Sequence, residues 1–518
     1  MTVLVELIAR LLIDTIYSWL RMFAALFISI GVSFFLGVFA ARSSAGERII
    51  LPLVDVFQTL PILAFFPIAI FLIVGLLPGY IGINAAVIFL IITSMVWNII
   101  FGVYESIKTM PKEFLEVAAT YQLGTFQRLI KVYAPAALPR VAEQSVLSWS
   151  IGLFYLVTSE IFSAGNSRYE VQHGIGVALT SLAGTGQTLG YIIGILIFIL
   201  FVVGTRFLFF VPLQNYAYRY SRESTRKEGK RYHFDINESL IKRFSYLGTG
   251  LRKMPKSSRK SLSKSKGVKG NSSRFGFVLY PIIFAIILVS GYVLFEYPHI
   301  LNQEAFVLLN LVTTFARVWS TFILFMIIAV PLSAYIVFIA RSGQRYLAII
   351  QILSSIPATI ILPAIAYSLK NGELVAITVF FLSGIWYVIF SAVGNLKNLN
   401  PEIMEVKKIF GIDRWKAWKN IYLKALLPGL VTGSVTAIAA EWNASIVAEY
   451  FTTTGITGSG SNVISTVGVG IGKLLDTALA SGNFGLMLLG LLNLTAMILL
   501  INTFIWKRLY RRVSNVYK

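Results

Sequence analysis

Three glutamates interrupt apolar helical runs: Glu160, Glu441 and Glu449. A carboxylate inside a membrane can hold a proton, pair with a buried cation or meet a charged solute, and intramembrane charges tend to be functional. At 1.5 Å per residue, Glu160 and Glu449 lie about 30 Å above Pro139 and Pro428, near the outer surface, where water is close. Two readings fit them: a carboxylate that pairs helices at the interface, or an outer gate or docking contact. Glu441 lies about 20 Å in by the same rise, at mid-membrane. With Trp442 and Asn443 it can line a pathway and touch the solute. Equally, it can be a buried, protonated side chain bonded to a neighbouring span. An ionised Glu441 on the path would repel a simple anion. Asp55, Arg21 and Arg317 stand near span ends and read as interfacial anchors that snorkel.

Other chemistry is thin. The chain has no cysteine and three scattered histidines, which removes thiol catalysis and any histidine metal cluster. Gly472-Lys473 is the nearest thing to a phosphate-binding loop, but Leu474 follows it and Val467 stands where the first glycine belongs. The expectation is a chain without its own nucleotide site, cofactor or metal, and not an enzyme.

The elements that must position these residues are membrane spans. Composition is 56% hydrophobic and 13% charged, against roughly 25% charged in soluble domains. The net charge of +22 is concentrated: residues 214–274 carry seventeen Lys or Arg against four acids. A basic segment between two apolar halves fits the positive-inside rule and anionic lipid, so no nucleic-acid partner is expected. Its Ser/Lys-rich stretch 257–273 reads as a flexible tether. The N-terminus lacks a basic start and carries Glu6, Arg10 and Asp14, unlike a signal peptide.

The apolar half is written twice. Trp97, Glu116, Pro139 and Glu160 recur as Trp386, Glu405, Pro428 and Glu449, each 289 positions on. Pro61 and Pro67 recur as Pro357 and Pro363 at an offset of 296. Such a constant spacing marks an internal duplication. Apolar runs predict spans near 22–41, 51–76, 84–104, 140–163 and 188–211. Six more follow near 276–296, 318–340, 347–369, 374–394, 428–451 and 484–506. Residues 3–20 read as an amphipathic helix at the interface, and their match in the second half is roughly 300–316. The expected fold is an all-α polytopic membrane protein of about eleven spans. It divides into a first domain (1–213), a basic linker (214–274) and a second domain (275–518). With the polar hairpins 105–139 and 395–427 in the cytoplasm and a crossing at every expected span, the inside segments 42–50, 105–140, 214–274, 341–346, 395–427 and 507–518 carry 38 of the 45 basic residues. Six spans separate equivalent points, so the halves share one orientation and a pseudo-twofold axis along the membrane normal, with a pathway between them.

Each hairpin is a candidate lever. In the second, Pro401 starts a helix, Gly411 ends it as a left-handed cap, and Asp413 caps a second helix. Trp415, Trp418, Ile421 and Tyr422 give that helix an apolar face, and Leu427-Pro428 ties it to a span.

This hairpin resembles the EAA loop of ABC-transporter permeases. Glu405, Gly411 and Pro428 fit the motif in the second half, and Glu116, Ala118, Ala119 and Pro139 fit it in the first. Lys407-Lys408 stands where small residues are usual. In the first half Gln122 holds the glycine position and Gly124, counted with the coupling residues, follows two residues later, so the first turn is expected to be shifted and contact with the ATPase to be asymmetric. The segments LPLVDVFQTLPILAFFP, AATYQLGTFQRL, GLFYLVTSEIFSAGN and EWNASIVAEYF are similar to the fused two-domain permeases of the nitrate/sulfonate/taurine group of importers. The resemblance implies a type I ABC importer permease in the plasma membrane. It also implies two partners: a dimer of cytoplasmic ATPase subunits gripping the hairpins, and an extracytoplasmic substrate-binding protein on the outer loops 164–187 and 452–483. An ion-gradient-driven secondary transporter of two parallel repeats is the alternative, with Glu441 as its proton carrier.

Overall fold

The structure is a computed structural model. It describes residues 2–58, 65, 69, 73–77, 79–164, 171–220, 303–338, 350, 353–397, 409–454, 461–506 and 508–509. Glu405, Lys407, Lys408, Pro61, Pro67, the span expected at 276–296 and most of the basic linker lie outside these residues, as does the side chain of Asp55.

The first half opens with α1 (Thr2–Arg42) and α2 (Ser44–Phe57). The span α3 (Tyr80–Lys108) follows, then the hairpin helices α4 (Lys112–Thr120) and α5 (Thr125–Arg128). A π-helical turn, Leu129–Tyr133, joins α5 to α6 (Ala134–Ala164). A short helix, α7 (Ile175–Gly184), leads into α8 (Thr188–Thr205), a π turn at Arg206–Phe210, and α9 (Val211–Ala217). The second half repeats the order: α10 (Glu304–Phe338), α11 (Ala358–Leu369), α12 (Gly372–Lys397) and α13 (Arg414–Ala417). A π turn at Trp418–Tyr422 enters α14 (Leu423–Glu449). Then come α15 (Ile471–Ala480), α16 (Phe484–Ile501) and a π turn at Asn502–Trp506. Between α14 and α15, β1 (Tyr450–Thr454) pairs antiparallel with β2 (Ser461–Thr466), a small ribbon that the all-helical expectation did not include.

Among the described residues, seven helices are long and apolar enough to cross a membrane. The expectation for residues 3–20 needs correcting. They are not a separate interfacial helix but the first half of α1, which runs unbroken for 41 residues. At 1.5 Å per residue that is about 60 Å, twice the hydrocarbon thickness. Asp14 within α1 is buried. Asp14 meets His173 at 3.0 Å and Arg10 at 4.0 Å. Leu11, Ser18, Trp19 and Met22 continue one buried stripe at helical spacing. Likewise α10 joins the segment near 304–316 to its span without a break.

The two halves share core residues along a seam, with Ala358, Leu362 and Ala366 of α11 packed among second-half residues. Ile360 of α11 belongs to the first half's core, and Phe65 and Ala69 belong to the second half's. Tyr191 Oη donates to the Ile360 carbonyl at 2.6 Å, and Tyr367 Oη donates to the Ala183 carbonyl at 2.8 Å. Pro357 caps the start of α11 and Pro363 is buried within it, so these residues shape the seam between halves.

Candidate functional site

The first hairpin turns at Gln122, whose φ of 49° is left-handed, and the second turns at Gly411, with φ 55°. These residues are 289 positions apart. The expected shift of the first turn is therefore not found: the two turns are in register. Gln122 takes the cap conformation itself, and its N–H donates to Ala119 O while Leu123 N–H donates to Ala118 O. Gly124 is extended and caps α5. Its counterpart Asp413 caps α13 by accepting from Trp415 N–H. Ala118 is buried and Glu116 and Ala119 are exposed, so only the first small residue packs inward.

Two aromatics flank each turn. Tyr121 and Phe126 are 75% and 72% exposed, and their counterparts Phe410 and Trp415 are 75% and 71% exposed. Trp415 thus leaves the packed face predicted for it, whereas Tyr422 is buried. From Thr125 the helix continues through the π turn and past Pro139 to Ala164. From Arg414 it continues past Pro428 to Glu449. The π turns match at the 289 offset, and such insertions often mark functional sites. Each hairpin is therefore one continuous rod with the long helix that follows it, α6 or α14.

At the far ends of these rods lie Glu160 and Glu449. Both are completely buried, not near water as the rise along the helix suggested. Arg21 and Arg317, expected to snorkel, are buried beside them. Arg21 Nη1 donates to Glu160 Oε1 at 2.7 Å and Arg317 Nη1 to Glu449 Oε1 at 2.8 Å. The surrounding bonds repeat atom for atom. Ser18 and Thr314 hydroxyls donate to the same carboxylate oxygens, each at 2.7 Å. Gly176 and Gly472 N–H groups donate to the other oxygens at 2.8 Å. Arg21 Nη2 reaches His173 O, and Arg317 Nη2 reaches Val469 O. The carboxylates thus take the unpaired N–H groups and positive end of α7 and α15, which holds those helices down.

A Gly-Ile-Gly at 174–176 and 470–472 makes this approach possible: a Cβ on Gly174 would sit 2.7 Å from the Glu160 carboxyl carbon, and one on Gly470 would be closer still to Glu449. That repeated tripeptide, with Arg21/Arg317 at the 296 offset, was the missed signal. The segments 164–187 and 452–483, expected as outer loops, are not loops throughout their described residues. Each holds a helix with a buried face, as Ile471, Leu474 and Leu475 show.

Glu441, Trp442 and Asn443 diverge. Asn443 Oδ1 accepts from Tyr155 Oη at 3.0 Å and so joins α14 to α6 across the halves. Glu441, two residues away, points elsewhere: a side chain at Gly384 of α12 would meet it at 3.5 Å and Phe325 of α10 at 2.7 Å. Both Glu441 oxygens and Trp442 Nε1 are buried without a hydrogen-bond partner among the described residues.

The profile described as "Binding-protein-dependent transport system inner membrane component" matches this chain twice, at residues 33–211 and 341–514. The nitrate import permease protein NrtB of Leptolyngbya laminosa is 26% identical over 157 residues, 30% of this chain and 51% of that protein. The glycine betaine transport system permease protein OpuAB of Bacillus subtilis is 29% identical over 189 residues, 34% of this chain and 64% of that protein. The bicarbonate transport system permease protein CmpB of Synechocystis is 27% identical over 112 residues, 22% of this chain and 40% of that protein. The chain thus spans about half the length of the curated relatives it matches. No solved structure matches it.

Proposed function

The chain belongs to the family of binding-protein-dependent transport inner-membrane components, and from that premise we propose that it is the fused two-domain permease of an ABC importer. Its domains are 1–213 and 275–518, joined by the linker 214–274. The hairpins, linker and C-terminus face the cytoplasm, where a dimer of separate ATPase subunits grips the hairpins. An extracytoplasmic binding protein delivers a small molecule from the other side. The relatives' names span nitrate, bicarbonate and glycine betaine, so kinship alone does not choose the cargo.

One observation carries this reading: the matched aromatics Tyr121/Phe126 and Phe410/Trp415 stand exposed on hairpins that are continuous with spans. Large aromatics are frequent anchors of protein interfaces, and a rigid helix passes their displacement into the bilayer. In the same reading Tyr155 and Asn443 close the pathway between the halves, with Glu441 and Trp442 beside it. Glu160 and Glu449 hold the outer helices in place and do not themselves gate.

Full-length tagged chain purified from its native membranes should bring down an ATP-hydrolysing polypeptide. Phe126→Asp combined with Trp415→Asp should cut that recovery by about tenfold or more at unchanged permease yield. A chain that arrives without an ATPase, or a double variant that recovers as much, overturns the coupling role. For Glu441, unchanged uptake affinity and rate in Glu441→Gln would remove it from the pathway.

A further inference from the structure

Glu441 is completely buried on α14, and both of its oxygens lack a hydrogen-bond partner among the described residues. It fills a notch at Gly384 of α12, where a Cβ would lie 3.5 Å from its Cγ and 2.7 Å from the Phe325 ring of α10. Thr321, one turn before Phe325, and Ser383, beside Gly384, also have hydroxyls without a partner, so neither donates to it.

The first half fills the same notch differently. At the 289 offset Gly152 stands for Glu441 and Met95 for Gly384. A Cβ on Gly152 would collide with the end of the Met95 side chain. The filling side chain thus comes from α3 in one half and from α14 in the other, each time against a glycine. A thioether is enough to pack the notch, so packing does not explain a carboxyl there.

No charged or titratable neighbour compensates it. On α10, Arg317 stands eight residues before Phe325, about 12 Å along the helix, and is bound to Glu449 and Glu373. On α12, Tyr387 follows Gly384 by three residues but makes no bond to Glu441. From α6, Tyr155 donates to Asn443, and from α11, Tyr367 donates to Ala183 O. On α15, Lys473 donates to the Val467 and Gly468 carbonyls. Lys473 and Asp476 follow Gly472, which is bonded to Glu449, itself eight residues and about 12 Å from Glu441; Tyr450 of β1 lies beyond Glu449. The other charges of α14 are Lys424 and Glu449. A bare carboxylate so placed has nothing to replace its hydration, and taking up a proton removes the charge. A metal cation would need several oxygen ligands, and no described hydroxyl reaches the carboxyl.

We propose that Glu441 is a proton-binding site, occupied while α10, α12 and α14 are packed together and emptied to water when they part. The proton passes from the carboxylic acid to a water molecule and leaves a carboxylate, so acid favours the packed form. It is exchanged in place and need not cross the membrane. The site stands apart from the permease reading; its link to the transport cycle rests on that reading.

The test is infrared difference spectroscopy of the purified full chain in detergent at neutral pH, wild type minus Glu441→Gln. Wild type should show a carboxylic-acid C=O band that shifts in heavy water. A carboxylate band in its place overturns the site. Thermal unfolding over a pH series reads the linkage. The packed form holds one proton that the unfolded chain releases. Wild type should therefore lose stability relative to Glu441→Gln as pH rises above the ordinary carboxyl range, by about tenfold in the folding constant per pH unit. Parallel curves overturn the site. So does stabilisation of wild type by sodium chloride and not by choline chloride, which assigns a metal cation instead. Should Glu441→Gln not fold, Glu441→Gly with Gly384→Met copies the first half and replaces it. Loss of the band and of the pH effect in that variant supports the site, and their retention overturns it. In complex with a co-purified ATPase held by a non-hydrolysable ATP analogue, the band should shrink; a band that stays whole overturns the exchange. The band in a chain that brings down no ATPase supports the site and sinks the permease reading. An ATPase recovered with a carboxylate at Glu441 sinks the site alone.

Discussion

The two buried Arg–Glu clusters share a plan and differ most in the second partner of the arginine. Arg21 Nε donates to the neutral amide of Asn84 at 2.7 Å. Its counterpart Arg317 donates to Glu373 through Nε and Nη2, at 2.6 and 2.7 Å. Asn84 and Glu373 are 289 positions apart. The first cluster thus balances one guanidinium against one buried carboxylate, and its nearby Asp14 faces His173. The second offers its guanidinium two carboxylates, of which Glu373 is half-exposed. The lesson is redundancy. Either cluster can pin the short helix beside it, α7 or α15, but only the second keeps an anionic partner for its arginine once the buried glutamate is gone.

The largest effect should come from breaking the first cluster. Glu160→Gln leaves Arg21 buried among neutral groups, and a stranded buried charge costs roughly 3–5 kcal/mol. Glu449→Gln should cost about half as much by the same reasoning, since Arg317 keeps its bidentate partner. Thermal unfolding of the two variants in detergent checks the order; equal losses would show that Glu373 contributes nothing. Next, Asn84→Glu added to Glu160→Gln should restore about 1–2 kcal/mol by copying the second cluster into the first. A double-mutant cycle with no coupling would reject that transfer.

The hairpins allow a smaller test of the same kind. Gly411→Ala should cost about 1 kcal/mol for a left-handed Cβ. Gln122→Gly should be near neutral, because relief of that strain is offset by the freedom glycine loses on folding. Smallest of all, Gly124→Asp, which copies the Asp413 cap, should add only a few tenths of a kcal/mol. Denaturant or thermal midpoints of the full chain read all three.

Local chemistry made part of this legible in advance. The duplicated landmarks, the polar hairpins, the proline repeats and the paired Glu160 and Glu449 follow from residue types and spacing alone. The left-handed turn at Gln122 did not, because a glycine two residues on offered a more obvious place for it.

By itself, the sequence determined that the chain is a duplicated membrane protein with two polar hairpins that run into apolar helices, since helix periodicity and apolar length are local properties of the chain. Only tertiary structure decided which charges meet. Arg21 and Glu160 are 139 residues apart, and Arg317 and Glu449 are 132 apart. Each pair exists only because one helix is laid against another. The same packing turned Asn443 toward the seam and Glu441 away from it, because side chains two positions apart on a helix face nearly opposite directions.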